Sequence, residues 1–180
     1  MNNVFVGVVT ILLLIGGVLQ FNGALEFEPG PADVLTTSES TDTTAKVARV
    51  IDGDTLDLTS GERLRLLGID SPERDECYYE EARSELVALV TGETLRLVRD
   101  TSETDKYDRV LRYVYFSTMS GADTGEPATA QEEVFVNEVL VRAGVATTLS
   151  IPPDTRYRAQ LRAAEAEARA AGRGLWGACE

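Results

Sequence analysis

The chain has 180 residues, enough for one domain with additional segments, and its 30 acidic and 17 basic side chains give a formal net charge of −13. It contains no histidine, which excludes Ser-His-Asp and Cys-His catalysis and zinc sites with histidine ligands. Any chemistry in this protein must therefore use carboxylates, arginines and a metal ion.

The N-terminal segment is apolar. Residues 1–25 carry no charged side chain, and 4–21 form an almost unbroken apolar run, close to the roughly 20 helical residues that cross a bilayer. A retained membrane anchor and a cleaved secretory signal are both compatible with this run, the second because residues 22–24 (NGA) offer a cleavage point. The following segment is acidic and has no Lys or Arg before Lys46, so we expect an extracellular protein, secreted or anchored to the outer face of the cell membrane.

Residues 26–45 are rich in Pro, Ser, Thr and acidic side chains. Such a segment cannot bury much apolar surface, and we expect a flexible, disordered linker. The folded domain is predicted to span 46–180. Within it, the polar stretch 117–133 is predicted to be a loop insertion.

The first part of the domain has a β pattern. Alternating apolar residues predict strands at 47–51, 56–58 and 64–66, with turns at 52–53 and 60–61 between them. Helical spacing follows over 78–90. Two further strands are predicted at 94–99 and 110–116.

The C-terminal part is helical. A short helix is predicted at 136–143, ended by Gly144, and a longer one is predicted to begin at Asp154 as its N-cap and to end at Gly172. The pattern indicates an α+β fold with a mainly β core: a five-stranded OB-fold barrel with three packed helices, preceded by an apolar N-terminal helix and a flexible linker. Barrels of this type carry a groove that accommodates nucleic acid.

Three carboxylates and two guanidiniums lie at predicted strand ends and turns: Asp54, Asp70, Glu73, Arg65 and Arg109. Taken singly, each has a structural interpretation, such as a hairpin turn at Asp54 or a surface ion pair between Arg65 and Asp70. Together they are the groups needed to hold a hard cation against a phosphodiester and to attack it with water. Arg65 alternates with two leucines, so its side chain is predicted to leave the core.

From about residue 47 to 176 the chain resembles the staphylococcal-nuclease-type domain of the thermonuclease family. The resemblance rests on five motifs in the family's order and spacing: residues 51–55 (IDGDT), 65–73 (RLLGIDSPE), 105–109 (DKYDR), 137–144 (NEVLVRAG) and 174–176 (GLW). Each motif alone is weak, but five in order are specific.

This resemblance implies a calcium-dependent phosphodiesterase that acts on DNA and RNA, single-stranded or frayed, and leaves 3′-phosphate and 5′-hydroxyl ends. By position, Asp54 and Asp70 correspond to the calcium carboxylates, and the backbone carbonyl of Ser71 is a further ligand. We expect Ca²⁺ as the cofactor and a monomer without a protein partner. The N-terminal segment would add membrane attachment if it is retained.

The other motif residues carry the remaining roles that the resemblance implies. Glu73 corresponds to the general base or water-orienting residue, and Arg65 and Arg109 correspond to the arginines that clamp the phosphate. Lys106 and Tyr107 match positions near the substrate's terminal phosphate. A catalytically weak binding module is the alternative, but such domains lose these carboxylates and arginines.

The chain departs from the family pattern in three places, one of which is the predicted insertion at 117–133, longer than the family's usual short turn. Asp108 stands where family members usually carry glycine, directly before Arg109, and its negative charge is expected to weaken phosphate binding. Residues 147–151 (TTLSI) contain none of the tyrosines that often stack on a base there. Stacking is worth about 1–3 kcal/mol per base, so weaker or less base-selective binding is expected.

The two cysteines, Cys77 and Cys179, would close a loop of roughly 100 residues if they form a disulfide in an oxidising compartment; two free thiols are the alternative. The charge raises a separate question, because nucleic-acid binding usually depends on basic residues. An acidic chain with only two lysines suggests adaptation to very salty surroundings, where long-range repulsion is screened. An ordinary acidic exported protein is the other interpretation.

Overall fold

The computed structural model describes residues 42–120 and 130–179, all of which belong to one compact unit, Glu39–Glu180. The apolar segment 1–25 and most of the predicted linker lie outside the described residues. Within the described ranges, no helix has the length and apolar character needed to cross a membrane.

The described secondary structure alternates between short strands and helices. In chain order the elements are β1 (Thr43–Val50), β2 (Thr55–Leu58), β3 (Arg63–Leu66), β4 (Ile69–Asp70), α1 (Tyr79–Val90), β5 (Thr94–Val98), β6 (Val110–Ser120), β7 (Ala130–Phe135), α2 (Val136–Ala143), β8 (Thr147–Thr148), α3 (Arg158–Ala170) and α4 (Leu175–Ala178).

Five of these strands close a barrel. The sheet order is β3-β2-β1-β5-β6, and a parallel pairing of β3 with β6 joins its two ends. Leucines that alternate along the strands fill the interior: Leu56, Leu58, Leu64, Leu66, Leu95 and Leu97 are all buried. The predicted five-stranded OB-type barrel with packed helices is confirmed.

Two predicted boundaries were wrong. Strand β1 begins at Thr43, inside the predicted linker, and pairs there with β5. The predicted insertion is shorter than 117–133, because β6 runs to Ser120 and pairs with β7 from Ala130; residues 121–129 lie outside the described part. Residues 117, 118, 132 and 133 are exposed. Since the strand-to-strand hydrogen bonds use only backbone groups, no apolar alternation marks these extensions in the sequence.

The predicted N-cap at Asp154 was also wrong. Helix α3 begins at Arg158, and no side chain caps it. The buried Asp154 carboxylate instead accepts hydrogen bonds at 2.8 Å from the backbone N–H groups of Thr101 and Ser102. Burial by itself raises the pKa of Asp154, but these hydrogen bonds outweigh it and hold the pKa below the ordinary value. Asp154 therefore fastens the turn after β5.

A buried amide connects α2 to the turn that precedes β4. Asn137 is fully buried; its Nδ2 donates to the Leu67 carbonyl at 2.8 Å, and its Oδ1 accepts from the Val114 N–H at 2.9 Å. Gly68 follows in the left-handed region, with φ +78°. The amide fixes the backbone that leads to Asp70.

Replacing Asn137 by Ala should destabilise the fold by about 2 kcal/mol or more, because a buried carbonyl and a buried N–H both lose their partner. Urea unfolding monitored by circular dichroism measures this change. The matched control is Gln160→Ala, which removes an exposed amide on α3 and should change the free energy of unfolding by less than about 0.5 kcal/mol. If both substitutions change the free energy of unfolding equally, the buried hydrogen bonds of Asn137 do not have the stabilising role described here.

Candidate active site

The turn between β1 and β2 carries Asp54 into the protein. The Asp54 N–H donates to Asp52 Oδ1 at 3.1 Å. A Cβ atom at Gly53 would lie 2.6 Å from Ser71 Cβ and 2.8 Å from Ala82 Cβ. Only glycine allows this approach, so the turn packs against Ser71 and α1, and Asp54 is 5% exposed.

The buried Asp54 carboxylate accepts two hydrogen bonds and forms one salt bridge. Its Oδ2 accepts from the Ser71 N–H at 2.7 Å, and its Oδ1 lies 3.0 Å from Thr55 Oγ1 and 3.1 Å from Arg65 Nε. Burial raises the pKa of Asp54 to about 6, although Arg65 and the Ser71 N–H act in the opposite direction.

The Arg65 guanidinium bridges two carboxylates. It contacts Asp54 through Nε and donates from Nη2 to Asp70 Oδ1 at 2.8 Å. Its Nη1 donates to the carbonyls of Leu66 and Ile69 at 2.7 and 2.8 Å. The side chain is only 11% exposed, and these four groups fix its position.

The strand register explains why distant residues meet here. Arg65 pairs with Thr55 in β2, the neighbour of Asp54, and with Leu111 in β6, two residues after Arg109. Closure of the barrel between β3 and β6 therefore brings together three of the motifs, residues 51–55, 65–73 and 105–109. The prediction from the sequence grouped five charged residues at one site: Asp54, Arg65, Asp70, Glu73 and Arg109.

The two carboxylates have the character of a site for a hard cation. Asp54 and Asp70 share one guanidinium, which leaves excess negative charge, and each carboxylate oxygen has two lone pairs, so the present contacts do not exhaust them. The donors are all oxygens, which calcium prefers. Among the described residues, no group of three His, Cys, Asp or Glu side chains is arranged to hold a metal.

Glu73 stands apart from this pair. It lies exposed in the loop after β4, where its N–H donates to Glu76 Oε2 at 2.8 Å and its carbonyl accepts from the Glu76 N–H at 2.9 Å. The described hydrogen bonds and ion pairs join Asp54 and Asp70 through Arg65, and they include no contact from Glu73 to Arg65 or to either carboxylate. Glu73 is exposed to solvent.

Asp105 positions Arg109, a role that the sequence analysis missed. Its Oδ2 accepts from Arg109 Nε at 2.7 Å, and its Oδ1 accepts from the backbone N–H groups of Tyr107 and Arg109 at 2.9 and 3.0 Å. Burial raises the pKa of Asp105, but the bonds from Arg109 and Tyr107 prevail and lower it. The signal in the sequence was the four-residue spacing from Asp105 to Arg109.

Lys106 and Tyr107 form the exposed tip of the same loop. The Tyr107 side chain is 66% exposed, with Lys106 Nζ at 4.8 Å and Arg109 Cζ at 5.5 Å from its ring centroid. A flat ring between two cations is suited to an anionic, aromatic ligand.

Arg65 and Arg109 line one cavity of about 300 Å³. Its apolar wall includes Leu149 and Ile151, whose side chains are exposed by 39% and 61%. These aliphatic groups stand in the segment where the sequence lacks tyrosines. The cavity combines fixed guanidiniums with an apolar surface.

A family model described as "Staphylococcal nuclease homologue" matches residues 63–178. The chain belongs to this family. The staphylococcal nuclease relatives include a thermonuclease of Staphylococcus hyicus, 26% identical over 175 residues that cover 92% of this chain and 95% of the relative. A thermonuclease of Staphylococcus intermedius is 31% identical over 139 residues (72% and 74%), and a micrococcal nuclease of Shigella flexneri is 31% identical over 137 residues (73% and 72%). The resemblance drawn from the five motifs is confirmed.

The backbone at Asp108 has a conformation suited to glycine, the residue that the family resemblance led us to expect at this position. Asp108 has φ 60°, in the left-handed region, where its N–H donates to the Asp105 carbonyl at 3.1 Å. Glycine adopts this conformation without strain, and Asp is among the few other residues that tolerate it. Asp108 therefore preserves the loop but adds a negative charge beside Arg109.

Replacing Asp108 by Gly or by Asn should raise kcat/KM for nucleic acid about fivefold, equivalent to roughly 1 kcal/mol for one exposed charge a few ångströms away in water. Asn is the matched control for backbone conformation, because it tolerates the left-handed region and removes only the charge. Initial rates at low ionic strength measure the effect. An increase for Gly alone would show that backbone strain, and not charge, limits the wild-type protein.

A disulfide ties the loop after Glu73 to the C-terminus. Cys77 and Cys179, 102 residues apart in sequence, are bonded, so the structure contains the bridge and not two free thiols. Both cysteines line a cavity together with Asp70 and Ser71. The bridge therefore braces the segment that carries the proposed ligands.

Replacing Cys77 and Cys179 together by Ala should lower the free energy of unfolding by about 2–5 kcal/mol, because the unfolded chain gains entropy. Thermal unfolding with and without reductant measures this. Reductant should lower the Tm of the wild type to that of the double variant and leave the variant unchanged. If reductant leaves the wild-type Tm unchanged and mass measurement finds two free thiols, the protein does not form the disulfide.

Proposed function

We propose that this chain is a calcium-dependent nuclease that hydrolyses phosphodiester bonds of DNA and RNA by in-line attack of water and leaves 3′-phosphate and 5′-hydroxyl ends. Relatives named thermonuclease and micrococcal nuclease support nuclease activity. The observation that carries the proposal is the Arg65 bridge between Asp54 and Asp70, beside a cavity that Arg65 shares with Arg109.

The two arginines have different tasks. Four of the five N–H groups of Arg65 are used by the described contacts, so this residue mainly fixes the carboxylates and offers one donor to a phosphate oxygen. Arg109 uses Nε for Asp105 and, within the described contacts, keeps both Nη groups free. Arg109 is thus the residue suited to paired hydrogen bonds with a phosphate, which strengthen as negative charge builds in the transition state.

Asp54, Asp70 and the backbone carbonyl of Ser71 would hold the calcium ion. Calcium would polarise the phosphoryl group and supply a coordinated water. Glu73 accepts the proton of the attacking water, for which its exposed carboxylate must reach the reacting phosphate when substrate binds. The disulfide four residues later limits the positions that its loop can take.

Lys106 and Tyr107 contact the terminal phosphate and the adjoining nucleoside. The exposure of Tyr107 and the two cations at its ring support this role. Leu149 and Ile151 provide apolar contact for a base without aromatic stacking.

The protein acts outside the cell, secreted or held at the outer face of the membrane by residues 1–25, as a monomer. The apolar N-terminal run and the disulfide support export, because disulfides persist in oxidising compartments. Adaptation to high salt stays a prediction from composition alone.

The function is tested by incubating the full-length protein with plasmid DNA and with RNA, in calcium or in chelator, from low to molar salt. Glu73→Gln should lower the rate about 10²–10⁴-fold, and Arg109→Ala about 10²–10³-fold. The matched controls are Glu81→Gln on α1 and Arg162→Ala on α3, both exposed, which should stay within about twofold of wild type.

Calcium binding has a readout besides activity. Calcium should raise the Tm of the wild type by mass action, and Asp54→Asn or Asp70→Asn should reduce that rise. If no calcium-dependent cleavage occurs at any salt concentration, while nucleic acid still binds, the alternative of a catalytically weak binding module is correct.

A further inference from the structure

A second cavity is lined by segments that adjoin the candidate active site along the chain, and it was not part of the predicted site. Its volume is about 750 Å³, and its wall comes from β1, β3, the loop after Glu73 and α1. Four arginines line it: Arg49, Arg63, Arg74 and Arg83. We call this set the arginine groove.

The arginine groove is an exception to the charge of the protein. In a chain with net charge −13, four of 17 basic side chains face one cavity. Three acidic residues also line it: Asp75, Glu76 and Glu80. With Asp57, which pairs with Arg49 and Arg63, four negative charges balance the four positive ones. The groove is thus close to neutral in a strongly acidic chain.

Two of the arginines are held in place by one carboxylate. Asp57 accepts from Arg49 Nε and from Arg63 Nε, each at 2.8 Å. Both arginine side chains remain largely exposed, by 66% and 48%. Asp57 offsets part of their charge but orients two guanidiniums, each of which keeps Nη donors for another ligand.

The other two arginines have no carboxylate partner among the described residues. Arg74 is exposed, and the only described hydrogen bond of Arg83 is a long one, 3.5 Å from its Nη2 to the Val50 carbonyl. Their donors are therefore available. Tyr79, also in the cavity wall, places a partly exposed ring beside them.

The groove adjoins the candidate active site along the chain. Ile51, in the groove wall, directly precedes the turn that delivers Asp54, and Arg74 directly follows Glu73. Two of the segments that line the groove are thus continuous with those that carry Asp54 and Glu73. Guanidiniums supplied by four separate segments suit a series of backbone phosphates better than one small anion.

We propose that the arginine groove binds the sugar–phosphate backbone of the substrate strand at nucleotides flanking the scissile bond. This proposal rests on the nuclease function proposed above. It also accounts for how an acidic protein holds a polyanion, since contacts at close range depend on local guanidiniums and not on net charge.

The test compares Arg74→Ala/Arg83→Ala with a matched control, Arg158→Ala/Arg162→Ala, which removes two exposed arginines of α3 that form no ion pair within the described residues. Full-length proteins cleave a single-stranded DNA 20-mer and a thymidine dinucleotide in calcium. The groove variant should lose about tenfold or more in kcat/KM on the 20-mer, mainly through KM, beyond any loss on the dinucleotide. The slope of log KM against the logarithm of the salt concentration should fall by about 1.4, because two phosphate contacts are lost and each contributes roughly 0.7.

Arg74→Lys/Arg83→Lys should retain most of the salt dependence, because lysine keeps the charge. The proposal is overturned if the groove variant loses no more than the control on the 20-mer, or loses equally on both substrates with an unchanged Tm. If the wild type cleaves neither substrate, the proposed function fails. Fluorescence anisotropy of the labelled 20-mer then tests whether the groove binds the strand. Equal affinity and equal salt dependence of the groove and control variants would overturn the proposal.

Discussion

The Arg65 guanidinium and the two carboxylates that it holds, Asp54 and Asp70, organise the candidate site. A buried carboxylate such as Asp54 is tolerated only with a partner of opposite charge, and a buried guanidinium needs acceptors on all sides. The barrel supplies both, because the β2–β3 register sets Arg65 opposite Thr55 and the loop after β3 returns Asp70 to the same point. The charges that perform the proposed chemistry are thus also charges that the fold must satisfy.

Several non-catalytic contacts keep this arrangement in place. Gly53 lets the Asp54 turn approach Ser71, and the Asn137 amide fixes the backbone before Asp70. Asp105 performs the corresponding task for Arg109, and the disulfide restrains the loop that carries Glu73. The Asn137 amide is fully buried and Asp105 accepts three hydrogen bonds, so a small change at either residue alters the geometry of the charged groups.

The sequence predicted the barrel strands and the charged residues of the candidate site. Alternating leucines identified the barrel strands, and the ordered motifs located Asp54, Arg65, Asp70 and Arg109. The polar ends of the β6–β7 hairpin and the start of β1 escaped prediction, because exposed strand residues show no apolar alternation. Asp154 resembled a helix N-cap by position, but its partners, Thr101 and Ser102, lie more than fifty residues earlier and cannot be inferred from local pattern.

The sequence by itself determined the barrel and the identity of the charged groups, because both follow from short-range periodicity and motif spacing. Only the tertiary structure decided which charges pair: Arg65 with both Asp54 and Asp70, and Arg109 with Asp105. The gathering of Arg49, Arg63, Arg74 and Arg83 around one cavity was equally hidden. Two of these arginines lie in strands, one in a loop and one in a helix. How close they come to one another depends on the strand register and on the path of the loops, which no local sequence pattern specifies.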